Sequence, residues 1–202
     1  MDNFLDTCIL INYHNEKSKL HNNSKEFINK EKEFIISEFQ NIREIPYLLY
    51  RLKLRSKVII SKAIMPSKEI PEIKKLTPRD KQKVKEILSE FALGLKTIKD
   101  LFDMKQEIFL LERKLNEFIL TKIKKIVTPL NKINNNLVKD IKIFNNNHQD
   151  AMVIASAIEE HQNNNLRLIT SDKEDWKKKD IANACIKNNY KKIPEVVLIK
   201  EL

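Results

Sequence analysis

Three aspartates stand where chemistry is expected. Phe4-Leu5-Asp6-Thr7 is a short apolar run that ends on a carboxylate and passes straight into an apolar helical pattern. Asp150 lies in His148-Gln149-Asp150-Ala151-Met152, and Asp172 follows Leu168-Ile169-Thr170-Ser171. A carboxylate at the end of a buried strand is poorly solvated and is repelled by other acids, so it is costly unless a cation binds it. Several such groups brought together make a site for a hard divalent ion, Mg²⁺ or Mn²⁺, and with it hydrolysis of phosphodiester bonds. That chemistry requires no His or Ser nucleophile. His148, two residues before Asp150, reads better as a capping or solvent-facing side chain, and His14, His21 and His161 are weaker candidates still.

The elements that must position these acids alternate at both ends of the chain. Residues 3–6 read as a buried strand and 7–14 as a helix, followed by a helix over 18–31 with Ser18 or Asn23 as its cap. Phe34-Ile35-Ile36 is a strand, and apolar 3–4 spacing from Glu38 predicts a helix to residue 62, kinked or broken at Pro46. Pro66, Pro71 and Pro78 make 64–78 an extended linker, with Thr77 as N-cap and Pro78 opening the next helix. One amphipathic pattern then runs to Val127, where Pro129 ends it, and another helix reaches Phe144. The end of the chain returns to helix (149–162), strand (166–170), helix (178–189) and strand (196–199). Alternation at this density implies a parallel sheet covered on both faces, with its site at the carboxyl ends of the strands. Asp6 and Asp172 both fall at such ends.

Composition narrows the alternatives. The 202 residues suffice for one domain carrying a large insertion. The single glycine, Gly94, excludes the glycine-rich phosphate loops of kinases, ATPases and dehydrogenases. The asparagine clusters 134–136, 145–147 and 163–165 are expected to supply the positive-φ turn positions instead. Cys8 and Cys185 sit in apolar helical patterns and read as reduced, buried thiols. No apolar run is long enough to span a membrane, and the first residues lack the features of a signal peptide, so a cytoplasmic protein is expected. The net charge of +10 is uneven: residues 51–147 hold 23 Lys and Arg against 11 Asp and Glu. The acids of interest therefore lie in the ends and the excess positive charge in the middle, which points to a polyanionic partner. Only 6 of the 38 basic residues are Arg, so coding bias toward Lys competes with that reading.

Phe4-Leu5-Asp6-Thr7 with its helix, Asp150-Ala151 with Ala155, and Leu168-Ile169-Thr170-Ser171-Asp172 with Asp175-Trp176 together resemble the PIN domain of metal-dependent ribonucleases. The resemblance covers residues 1–50 and 145–202 and leaves 51–144 as a helical, lysine-rich insertion. It implies an α/β three-layer sandwich, with a mainly parallel central sheet flanked by helices and an inserted helical arm. It also implies an endoribonuclease using Mg²⁺ or Mn²⁺ at Asp6, Glu44, Asp150 and Asp172, with Asp175 as an additional metal-site acid. Glu44, in Ile42-Arg43-Glu44-Ile45, is the choice for the family's second acid, with Glu38 as the alternative. Thr7 and Ser171 are placed to hydrogen-bond a metal water or the scissile phosphate, and Trp176 as an apolar plug. The implied partner is RNA, or DNA for a structure-specific nuclease. The arm either guides that polyanion or meets a protein, an antitoxin or a second copy, so both a toxin and an RNA-processing enzyme fit. A non-catalytic scaffold that binds nucleic acid or protein is the competing class.

Overall fold

The computed structural model describes residues 1–174 and 176–201. Its strands are β1 (Asp2–Leu5), β2 (Phe34–Ser37), β3 (Ile123–Val127), β4 (Leu166–Thr170) and β5 (Glu195–Leu198). They form one sheet in the order β3-β2-β1-β4-β5, and every pairing is parallel. The helices are α1 (Thr7–His14), α2 (His21–Lys30), α3 (Ile45–Ile64), α4 (Pro78–Ala92), α5 (Ile98–Lys122), α6 (Asn135–Phe144), α7 (His148–Asn163) and α8 (Lys178–Lys187).

Strand parity sets the layers. Phe4, Ile35, Leu166, Leu168 and Val196 share one core with Ile141 of α6, Ile154 and Ile158 of α7, and Ile181 of α8. The residues between them, Leu5, Phe34, Ile36 and Ile169, are buried as well, and successive strand residues face opposite sides. On that second side the Phe34 ring meets Phe27 of α2 and Phe118 of α5. Strands buried on both faces explain the nearly continuous apolar runs of the sequence.

The chain builds outward from β1 to β2 and β3, then returns to place β4 on the other side of β1. The direction of winding thus reverses between β1 and β4, and in open α/β sheets the crevice above such a reversal is the usual ligand site. Leu5 pairs with Ile169, and the Asp6 N–H donates to the Ile169 carbonyl at 2.9 Å. Asp6 and Thr170 therefore leave the sheet side by side.

The chain divides into two compact units, Met1–Ile45 with Lys114–Leu202, and Pro46–Arg113. The second has its own core of Leu54, Val58, Ile59, Val84, Ile87 and Leu101. Of the residues 51–144 expected as an insertion, 114–144 group with the first unit, where they supply β3 and put Leu137, Val138 and Ile141 into the sheet core. Pro46–Arg113 carries 16 Lys and Arg against 9 Asp and Glu, so most of the net positive charge, though not all of it, lies there.

The single amphipathic run expected from 78 to 127 is broken twice. Gly94, at φ 72°, closes α4, with Gly94 N–H donating to the Phe91 carbonyl and Leu95 N–H to that of Glu90. This is the bonding of a Schellman cap, which selects a residue tolerant of positive φ. Beyond α5, Ile123-Lys124-Lys125-Ile126-Val127 is an edge strand whose two exposed lysines protect that edge from further pairing. The asparagine clusters also act differently from expectation. Asn134 and Asn147 cap the starts of α6 and α7, and Asn145 and Asn164 end them, all from extended backbone. Among the described residues, the non-glycine positions at positive φ are Thr128 and Asn189. Neither Ser18 nor Asn23 caps α2, whose N-cap position is Leu20. Thr77 does cap α4, with Pro78 at its first position. Both cysteines are free thiols, and no helix among the described residues is long and apolar enough to cross a membrane.

Candidate functional site

Asp6 is held at the switch between β1 and α1 by its own backbone and by neutral donors. It occupies the N-cap of α1 in extended conformation, and one carboxylate oxygen takes a long 3.5 Å bond from the Cys8 N–H. The other oxygen accepts from the Thr170 hydroxyl at 2.6 Å and from the Cys8 thiol at 2.7 Å. Burial pushes the Cys8 thiol well above its ordinary range and the neighbouring Asp6 charge adds to this, so the thiol stays protonated and donates. Burial raises the pKa of Asp6 as well; the bonds from Cys8 and Thr170 oppose this, and the charge of Asp172 adds to it.

Glu44 reaches the same place from the segment after β2. Pro46 lacks an N–H, and its ring crowds the carbonyl four residues earlier. In place of the expected kink or break, the helix widens into a π turn over Gln40–Glu44, closed by the Ile45 N–H on the Gln40 carbonyl, and runs on into α3. Glu44 is buried, and its carboxylate accepts from the Thr7 hydroxyl at 2.5 Å. Gln40, fully buried, donates to the Leu5 carbonyl at 2.8 Å and to the Thr7 hydroxyl oxygen at 3.1 Å, while its own oxygen accepts from the Ser37 N–H. The ends of β1 and β2 are tied together beneath Glu44 in this way. Burial, then the charge of Asp6 and then that of Asp150 push the Glu44 carboxyl up to about 8, against the lowering effect of Thr7.

Asp150 is the third residue of α7, and it accepts from the Asn147 side chain at 2.5 Å. It sits where the helix dipole favours an anion. Asp172 lies two residues beyond β4; its N–H donates to the Thr170 hydroxyl oxygen at 3.0 Å, and its carboxylate accepts from the Glu174 N–H. Electrostatics link the four acids pairwise: Asp6 with Glu44, Asp6 with Asp172, and Glu44 with Asp150. Glu38 is engaged elsewhere, accepting from the Leu130 N–H at 2.7 Å. Asp175 lies outside the described residues. His148 is exposed, Trp176 is buried in the sheet core, and the Ser171 hydroxyl accepts from Asn12. Thr7 is spent on Glu44 and Gln40. Three residues had no role assigned at this site from the sequence: Gln40, Thr170 and Asn147. Thr170 had a signal, as the last residue of a strand two places before an acid. Gln40 had none beyond its position three after Ser37.

The donor set suits a hard divalent cation. It offers carboxylate oxygens held by neutral donors, with Asp6 and Asp150 at the positive ends of two helices, and a cation would relieve the raised pKa values of Asp6 and Glu44. Among the described residues, no three of His, Cys, Asp and Glu are grouped closely enough to hold an ion as the side chains stand, so loading it requires the carboxylates to draw together. No family model, curated protein or solved structure matches the chain.

Proposed function

We propose that the chain is a metal-dependent nuclease of the PIN kind, an endoribonuclease that hydrolyses RNA at Asp6, Glu44, Asp150 and Asp172. The observation that supports this reading is the pair of buried carboxylates Asp6 and Glu44 with no cationic partner, linked electrostatically to each other, to Asp172 and to Asp150, with Glu44 raised to about 8. Mg²⁺ or Mn²⁺ held there would act as a Lewis acid, making a nucleophile from water at neutral pH and offsetting charge on the phosphodiester. Thr7 and Gln40 fix the Glu44 carboxylate, and Thr170 and Cys8 fix that of Asp6, so neither needs reorienting from solvent. Glu44 must lose its proton before it can serve as a ligand, so affinity for the cation rises with pH. Backbone N–H groups at the starts of α1 and α7 favour a phosphate between them. The basic unit Pro46–Arg113 raises the local concentration of a polyanion.

The test is incubation with structured and unstructured RNA and DNA, in Mn²⁺ or EDTA, beside Asp150→Asn. Cleavage in Mn²⁺ alone, lost in the variant, is expected; cleavage that survives EDTA or Asp150→Asn would overturn the assignment. The spacing of the acids also suits a second reading, a PIN-like scaffold without catalysis that binds nucleic acid or protein. That scaffold predicts no Mn²⁺-dependent rise in melting temperature, whereas the nuclease predicts one that Asp6→Asn abolishes.

A further inference from the structure

At the opposite end of α1 from Asp6, about 12 Å along the helix axis, a pocket of about 370 Å³ opens between α1, α2 and the last turns of α5. This volume lies in the range of small-ligand sites. Its lining combines rings and cations: Tyr13, His14 and His21, with Lys25, Lys114 and Lys122. Glu16 and Glu117 share the rim, so the pocket is no general polyanion patch, and affinity there has to come partly from the rings.

Three features converge on one ligand chemistry. Tyr13, His14 and Phe118 form an aromatic wall, with ring centroids 4.7 to 5.6 Å apart. The His14 Nε2 atom is buried with no hydrogen-bond partner, so as the side chains stand that nitrogen is closed to a ligand and His14 contributes to the wall as a ring. Burial, with Lys114 and His21 nearby, holds the His14 pKa at about 4, so the ring is neutral and suits stacking with a base more than pairing with a phosphate. Lys25, Lys114 and Lys122 are exposed, and none of them forms an ion pair among the described residues. Lys114 and Lys122 are two turns apart on α5, about 12 Å, too far to serve one phosphate, so they reach phosphates on either side of the pocket only by leaning their flexible side chains toward it.

We propose that this pocket holds one nucleotide of a single-stranded nucleic acid, its base against Tyr13 and His14 and its flanking phosphates on Lys114 and Lys122, with Lys25 at the mouth. The proposal rests on the nuclease reading only for the source of the strand, and binding requires neither the acids nor a metal. Single strands are held in this manner elsewhere, by stacking on rings beside a basic track.

The test is fluorescence anisotropy of a labelled single-stranded RNA octamer with the full chain in EDTA, across a salt series. The octamer should bind more tightly than a duplex of the same sequence and more tightly than a mononucleotide. Tyr13→Ala should weaken binding about tenfold. Lys114→Ala and Lys122→Ala should each reduce the slope of log affinity against log salt by about 0.7. Lys191→Glu, a charge change in the same unit but outside the pocket, should leave affinity unchanged. Thermal melts establish that each variant folds, and the exposed lysines carry the test if Tyr13→Ala does not. Equal binding of duplex or mononucleotide, or pocket variants that bind like the intact chain, would overturn the proposal. Absence of Mn²⁺-dependent cleavage with octamer binding retained would remove the nuclease reading and leave the pocket standing. Normal cleavage with unaltered binding by the lysine variants would remove the pocket alone.

Discussion

Asp80 in the unit Pro46–Arg113 and the pair Asp6 and Glu44 in the sheet unit are all buried carboxylates, and they are treated in opposite ways. Asp80 accepts from the Arg51 guanidinium at 2.9 Å and the Thr77 hydroxyl at 2.6 Å, with Arg55 at 3.6 Å. Burial would raise its pKa, but Thr77, Arg51 and Arg55 outweigh it and hold the carboxyl below its ordinary value. Asp6 and Glu44 are given only neutral partners, Thr170, Cys8 and Thr7, and the charges that bear on them are other acids. One buried carboxylate is neutralised by the fold itself. The others have no cationic partner: Glu44 keeps its proton up to about 8, and Asp6 and Glu44 would both gain from the proposed cation.

That contrast can be broken by four measurements. The largest effect is on catalysis. Asp6→Asn and Glu44→Gln should each lower Mn²⁺-dependent cleavage by on the order of a thousandfold, the scale of losing a group that stabilises transition-state charge; Asp80→Ala should leave the rate on the folded protein within a few-fold. Stability should respond in reverse. Asp80→Ala strands two arginines, each about a quarter exposed, and should cost about 3 kcal/mol in urea denaturation, the low end for a broken buried pair.

The third measurement is the pH dependence of the metal-free protein. Between the ordinary glutamate value and about 8, folded Glu44 keeps a proton that the unfolded chain has released. Stability contributed by Glu44 is therefore complete at low pH, falls as pH rises through that window and is flat above it. Glu44→Gln should flatten the profile and leave the variant about 2 kcal/mol more stable at pH 9. Added Mn²⁺ should protect the intact chain more at pH 8.5 than at pH 6, and an intact chain whose stability rises across this window would contradict the assignment of Glu44. The smallest effect belongs to a neutral donor: Thr77→Ala, which removes both a helix cap and a partner of Asp80, should cost about 1 kcal/mol.

How much could be read in advance followed from how local each signal was. The β1–Asp6–α1 junction, β4, and the cap of α4 at Thr77 are specified by adjacent residues, and they stand where periodicity and capping chemistry put them. β3 was hidden because Ile123, Ile126 and Val127 continue a helical spacing, and only pairing with distant β2 makes them a strand. The π turn at Gln40–Glu44 was signalled by Pro46 but not its form, which depends on how a helix relieves a crowded carbonyl. Asp6 and Asp172 declared themselves as strand-end acids. Glu44 did not, since the feature separating it from Glu38 is a hydrogen bond to Thr7 across the sheet, and nothing within its own segment encodes that. The asparagines misled for the same reason: cap and positive-φ turn draw on the same residue type, and the surrounding backbone chooses between them.

The strand order has a consequence for the sequence of folding. β2 gains its outer neighbour only when Ile123 comes back to pair with Phe34, after the whole of α3, α4 and α5 has been made. Until then it presents an unpaired, fully apolar edge, Phe34-Ile35-Ile36. Pairings between residues so distant in sequence are slow to form. Because Pro46–Arg113 has a core of its own, its collapse would shorten the loop to be closed. A unit whose charge suggests a role in substrate capture would then first serve as an internal aid to assembly, and loosening its core, as by Leu101→Ala, would lengthen the loop and slow the folding of the sheet.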